Sequence, residues 1–210
     1  MHIPDGFLAP AITLPAYAVA APLWVWATRK HFGPNQVEAL PAVGALTAVA
    51  FVLQTIMIPV PGGTSTHLVG AGLLGLWRGP AVAFVCESLV LLIQALFFGA
   101  GGITVLGVNA LAMGLAGPLV AWLVGSALGT RFPRLAPFLA GYLGLQISTL
   151  AVAGVLGAQH LLDSKQLPTP FSVVVVTMLM PSLLVTGVIE GFYTLFAFRI
   201  LKRVHARTVA

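Results

Sequence analysis

Apolar runs about as long as a bilayer is thick follow one another along almost the whole chain, separated only by short breaks of glycine, proline and basic residues. A helix needs about 20 mostly apolar residues to cross a hydrocarbon core. Lipid offers no partner to an open backbone, so such runs must become helices or a closed barrel, and runs this long and continuous read as helices. The chain is therefore expected to be an all-α integral membrane protein. Composition agrees, since 59% of the 210 residues are hydrophobic and 7% are charged, where soluble domains carry roughly 25% charged residues. A single cysteine, Cys86, excludes an intrachain disulfide and a multi-cysteine metal site. The pI of about 10.0 could suit nucleic acid. The basic residues are few and scattered between apolar runs, however, so they read as topology signals and no nucleic-acid partner is expected.

The runs predict seven spans, near 8–28, 39–58, 66–77, 81–98, 104–128, 137–157 and 171–200. The third is short for a full crossing and is expected to begin as irregular backbone or to cross with a thin end. Alternate connections and the tail contain Arg29, Lys30, Arg78, Arg131, Arg134, Arg199, Lys202, Arg203 and Arg207, nine of the ten basic residues; only Lys165 falls on the other side. Positive charge marks the cytoplasmic side. Residues 1–210 are thus expected to form one polytopic domain, with the amino terminus outside and the carboxy terminus in the cytoplasm.

That orientation gives weight to Met1 and His2. No positively charged stretch precedes them to mark a disposable signal peptide. The Met1 amine, the His2 amide nitrogen and the His2 imidazole Nδ1 can grip a metal through a five-membered and a six-membered chelate ring. These three donors lie in one plane, and one more imidazole completes a four-nitrogen square, a geometry favoured by Ni(II), Cu(II) and low-spin Co(II). Among the remaining histidines, His31 and His205 sit among cations on the cytoplasmic side and His160 lies in a polar external loop. His67 ends the external stretch Pro-Val-Pro-Gly-Gly-Thr-Ser-Thr-His. It is the candidate fourth ligand, although it can equally cap the third span. Gly62 and Gly63 let that loop bend, and Thr64, Ser65 and Thr66 offer hydroxyls to orient a ligand or satisfy backbone. The seven residues before Leu8 reach at most about 23–25 Å, against about 15 Å for half of a hydrocarbon core. The terminus can therefore fold back into the bundle.

Three segments resemble a known family: Met-His-Ile-Pro-Asp-Gly-Phe-Leu at 1–8, Gly-Gly-Thr-Ser-Thr-His-Leu-Val-Gly at 62–70, and Leu-Ile-Gln-Ala-Leu-Phe-Phe-Gly-Ala-Gly-Gly-Ile-Thr-Val-Leu-Gly-Val-Asn-Ala at 92–110. The chain resembles the CbiM/NikM proteins, the metal-capturing S components of nickel and cobalt energy-coupling-factor (ECF) transporters. The likeness covers most of spans one to five, and the last third follows mainly by hydropathy. It implies seven transmembrane helices, a six-helix S-component core with an added amino-terminal helix, in a prokaryotic cell membrane. It also implies metal ligands at Met1, His2 and His67, Ni2+ or Co2+ as cargo, and no cofactor. The implied partners are a transmembrane coupling subunit, ATPase subunits, a small accessory membrane subunit and membrane lipid.

Around such a site, Asp5 is expected to serve as counter-charge or as anchor for the returning terminus. Gln94 and Asn109, buried amides that need partners, are expected near His67 or the turning strand, or else bonded between helices. The Gly99–Gly102 loop between them can act as a lid or as a plain turn. Glu87 and Glu190 lie inside spans, where carboxylates default to a functional reading. Structural pairing, with Arg78 or a hydroxyl, is the simpler expectation. Small residues four apart (Gly117, Ala121, Gly125 and Gly129; Gly44 and Ala48) let helices approach closely, and Gly44 with Ala48 is the candidate docking face for the coupling subunit. The sequence has no Gly-Lys-Ser or Gly-Lys-Thr phosphate loop, no His-Glu-x-x-His and no nucleophile elbow. A non-catalytic subunit is therefore expected. The rival is an intramembrane enzyme or proton-coupled metal exporter built on Glu87 and Glu190.

Overall fold

A computed structural model describes residues 1–33, 40–60 and 64–208, without the side chains of Val60, Thr64 and 205–208. Gly62 and Gly63, and the side chains of His205 and Arg207, lie outside the described residues. The described residues form seven helices: α1 (Pro10–His31), α2 (Leu40–Thr55), α3 (Ala71–Arg78), α4 (Pro80–Phe98), α5 (Leu106–Leu128), α6 (Ala136–Leu162) and α7, which runs from Phe171–Pro181 through Ser182–Thr186 into Gly187–Thr208. Five of them, α1, α4, α5, α6 and α7, are long and apolar enough to cross a membrane. Pro10 and Pro80 open α1 and α4, where a missing N–H costs nothing. Most expected span ends lie within about three residues of the observed helices, but the third was expected to start at 66 rather than Ala71, the sixth to end at 157 rather than Leu162, and the seventh at 200 rather than Thr208.

Two departures have local causes. The backbone between α2 and α3 forms a short antiparallel ladder pairing Ile58–Val60 with Thr64–Thr66. At three residues a side, with Pro59 inside it, the ladder is too short to show an alternating pattern. The third span is only eight residues of helix, led by irregular backbone at 67–70 as its length foretold. In addition, α5 and α7 each widen into a π-helical stretch, at Ala110–Ala116 and Ser182–Thr186. Pro118 and Pro181 sit beside these stretches, and a proline that cannot donate to the preceding turn invites such a bulge.

The small-residue face of α5 packs inside the bundle. Cβ atoms added at Gly117, Gly125 and Gly144 would strike Gly144 and Ser148, Leu76, and Gly117 and Ala121, respectively. By contrast, α1 buries only Thr13, Ala20 and Ala27, and α2 only Val43, Ala50 and Gln54. Each turns one narrow stripe inward and leaves the rest to lipid. Helix direction alternates, so the ends of α1, α3, α5 and α7 that carry Arg29, Lys30, Arg78, Arg131, Arg134 and Lys202 gather opposite the amino-terminal strand. Residues 1–9 run back into the core, where Met1 and Ile3 are fully buried.

Candidate metal centre

The terminus is held in place atom by atom. Asn109 of α5 donates its amide to the Ile3 carbonyl at 3.0 Å and accepts the Ile3 N–H at 3.1 Å. The Ile103 and Thr104 N–H groups donate to the Asp5 carboxylate at 3.2 and 2.9 Å, joined by the Thr104 hydroxyl. Gly102 abuts Asp5 so closely that any Cβ there would overlap its carboxylate. Asp5 is thus the anchor of the strand, tied to the loop after α4. Gln159 and Gln166 bond the main chain of Ala9 and Gly6. The Thr149 hydroxyl of α6 donates to the Met1 sulfur at 2.9 Å, which seats the first side chain against α6.

This anchoring brings His2 against His67. The rings stack with centroids 4.5 Å apart and planes 22° from parallel. The Met1 nitrogen donates to the Ser65 carbonyl and sits 3.2 Å from its hydroxyl. His67 Nδ1 lies 2.8 Å from the Leu68 carbonyl, which can only accept, so Nδ1 carries the proton and Nε2 keeps a lone pair. His2 Nε2 lies 2.7 Å from Gln94 Oε1 of α4, which makes it the donor and leaves the lone pair on Nδ1. Both lone-pair nitrogens, His2 Nδ1 and His67 Nε2, are buried with no hydrogen-bond partner among the described residues. Unpaired polar atoms in a dry core are costly. Burial drives the Met1 amine down from 8.0 to about 4. It drives the His2 ring to about 3, aided by the neighbouring amine and opposed by Gln94 and Gln54. His67 falls well below its ordinary value through burial, the amine and His2. These bases repel protons, and two of them sit on stacked rings with a nitrogen left bare.

The backbone after His67 is clamped from two sides. Glu190 of α7 accepts the Val69 and Gly70 N–H groups at 3.0 and 2.8 Å. Gln54 of α2 donates one amide nitrogen to the Val69 carbonyl at 3.0 Å and to Glu87 Oε1 at 2.7 Å. Gly70 adopts a left-handed φ of 73° and meets Ala50 where a Cβ would stand 3.0 Å away, so only glycine fits. The expected pairing of the carboxylates with Arg78 is therefore corrected. Arg78 closes α3 beside Trp77, while Glu87 and Glu190 are held by an amide and by bare main-chain N–H groups left at the start of α3.

Among the residues expected near the site, Ser65, Gln94 and Asn109 touch the terminus directly. Thr66 does not, its hydroxyl instead facing Thr186 at 3.2 Å. Gly101 of the loop after α4 stands over His2, where a Cβ would lie 3.5 Å from the ring. His160 bonds Leu167 and His31 faces Trp26. The sequence reading missed Gln54, Thr149, and Gln146, which bonds Ser182 beside Thr149. The rule that flagged Gln94 and Asn109, an amide or hydroxyl inside an apolar run, applies to all three. Among the described residues no three His, Cys, Asp or Glu side chains are grouped so as to hold a metal ion.

The CbiM family model, described as the cobalt uptake substrate-specific transmembrane region, matches residues 2–208. The fused nickel transport protein NikMN of Rhodobacter capsulatus is 36% identical over 206 residues, 92% of this chain and 59% of that protein. The cobalt transport protein CbiM of Roseiflexus sp. is 41% identical over 115 residues, 54% of this chain and 46% of that one. The chain thus spans about half the length of these relatives. A crystal structure of a truncated transition metal transporter shares the fold at a TM-score of 0.90 and 32% identity, covering 97% of this chain and 99% of that one. With a family match over nearly its whole length and a shared seven-helix fold, this multi-pass membrane protein belongs to the CbiM family.

Proposed function

We propose that the chain captures Ni2+ or Co2+ and delivers it across the membrane as the substrate-specific component of an ATP-driven ECF importer. The observation that carries this reading is the pair of buried, unpartnered imidazole nitrogens, His2 Nδ1 and His67 Nε2, on rings stacked against each other next to the Met1 amine. With Met1 as the amino terminus, its amine, the His2 amide nitrogen and these two imidazoles supply four nitrogens to one ion, a set that suits square-planar metals. Gln94 and the Leu68 carbonyl fix the two tautomers that leave the donor nitrogens bare, as partners beyond the ligands commonly do at metal sites. Relatives named for nickel and cobalt transport support the class of cargo.

In this reading the amino-terminal end faces outside and the basic end faces the cytoplasm, following the bias of Arg and Lys. The subunit does no chemistry, and ATPase subunits act on it through a transmembrane coupling subunit. Gly44 and Ala48 line an apolar recess of about 600 Å³ between α2 and α4, together with Phe51 and Leu89. We assign that recess to the coupling subunit. The rival built on Glu87 and Glu190 is weakened because both carboxylates already hold structural partners, the Gln54 amide for Glu87 and the N–H groups at the start of α3 for Glu190.

The test is the position of a tag. An extension ahead of Met1 is expected to abolish metal binding by removing the free amine, while a carboxy-terminal tag spares it. Equal metal content per chain in the two purified forms would overturn the four-nitrogen model.

A further inference from the structure

A chain of buried polar groups between α6 and α7 supplies no nitrogen to the metal and ends on the side chain of Met1. It starts at Gly187, where a Cβ would overlap the Gln146 amide, so the glycine lets that amide in. Gln146 donates its nitrogen to the Ser182 carbonyl at 3.0 Å and accepts the Ser182 hydroxyl on its oxygen at 2.9 Å. With its proton spent there, the Ser182 oxygen can only accept from Thr149, 3.2 Å away. Thr149 is therefore the donor at each contact. Its one proton is shared among Ser182, the Leu145 carbonyl of its own helix and the Met1 sulfur, the last two at 2.9 Å. Thr149, Ser182 and Met1 are all fully buried. A methylene in place of the sulfur has no lone pair to offer. At 2.9 Å from the hydroxyl it would stand inside the roughly 3.5 Å at which carbon contacts become favourable. The place fits a thioether better than a hydrocarbon of the same shape.

We propose that this chain is a recognition site for the side chain of residue 1, with Thr149 as the positioning residue, so that metal capture calls for a thioether there and not merely for a free amine. The proposal rests on the four-nitrogen reading and adds a requirement to it. The amine, the His2 amide nitrogen and His2 Nδ1 share one plane only if the torsions of residue 1 are fixed. From Ile3 onward the strand is tied by Asn109 and Asp5, which leaves residue 1 as the end still to be held. Its amine is held at Ser65. Holding its side chain at Thr149 as well fixes the backbone atoms between the two. Thioether sulfur is a weak acceptor, so the contact sets direction without locking the arm in.

The experiment uses the full chain with its native amino terminus, made with methionine or with norleucine, which replaces the sulfur by a methylene. Ni2+ affinity is read by competition. Norleucine is expected to weaken binding by about tenfold, the size usual for a group that orients a ligand. Thr149→Val should weaken the methionine protein as much and the norleucine protein no further, while Thr149→Ser, which keeps the hydroxyl, keeps wild-type affinity. Effects of norleucine at Met57, Met113, Met178 and Met180 that are independent of Thr149 cancel in that comparison. Losses that add, a serine variant as weak as the valine one, or a norleucine protein that binds like the methionine protein each overturn the proposal; Thr149 would then only pack α6 against α7. Thr149→Ala takes the place of the valine variant if that variant does not fold. Failure of the underlying reading looks different: metal would then stay bound to a chain extended ahead of Met1.

Discussion

At the scale of single residues, the site is made of bases that the fold strips of their protons. Outside the bundle the Met1 amine and the His2 ring hold protons up to about 8.0 and 6.5; seated in it they hold them only below about 4 and 3. Below pH 8 the undocked terminus therefore binds more protons than the docked one. Docking of the strand is complete above pH 8 and weakens as pH falls, by about tenfold per unit for the amine alone and more steeply once His2 also titrates. The Ile3 N–H, bonded to Asn109, reports this directly. Its hydrogen-exchange protection in the metal-free protein should decline as pH is lowered from 8 to 5. Protection that stays flat over that range would show that the buried amine keeps its proton.

The same residues permit a test of register. Inserting a leucine between Met1 and His2 moves the imidazole to the third position, where amine, two amides and imidazole close a four-nitrogen square without His67. In that variant Ni(II) binding should persist and His67→Ala should leave it unchanged. In the natural register His67→Ala removes a ligand and should weaken binding severely in equilibrium titration. An equal loss in both registers would make His67 a structural residue.

At the scale of elements, the amino-terminal strand is a ligand arm whose position depends on α5. Asn109→Leu keeps the volume but strands the buried Ile3 N–H and carbonyl, each costing about 1–3 kcal/mol. Metal affinity should fall by about 10–100-fold while helix content by circular dichroism is unchanged. An affinity within twofold of wild type would mean that Asp5, Gln159 and Gln166 seat the strand without Asn109. How much of this was legible beforehand differs from element to element. The long spans were, because lipid leaves an apolar run no alternative to a helix. The ladder Ile58–Val60 with Thr64–Thr66 was not, since three residues carry no period, and neither were the widened turns beside Pro118 and Pro181. Gln94, Asn109 and Asp5 could be placed near the terminus because a polar group in lipid must find a partner. Which partner each takes depends on helix rotation, which hydropathy does not encode; Glu87 and Glu190 show this by meeting Gln54 and the start of α3 rather than Arg78.

At the scale of the whole molecule, the centre joins two groups of elements. The terminus is held by α4, α5 and α6, and the His67 segment by α2 and α7. An ion shared between Met1, His2 and His67 bonds the two groups to each other and so adds its binding energy to the stability of the bundle. At a free metal concentration of about 100 times Kd the gain is about 2.7 kcal/mol, which for a chain of this size raises Tm by roughly 5–10 °C. We expect that shift for Ni2+ in detergent, and none for a protein extended ahead of Met1. Glu190→Gln should sit between them. It keeps one acceptor for the Val69 and Gly70 N–H groups but loses the second, so its metal-free Tm should drop and its metal-induced shift should shrink as His67 loosens. If the extended protein shows the full shift, the metal is bound elsewhere in the bundle, and the interior carboxylates, not the amino terminus, would be its ligands.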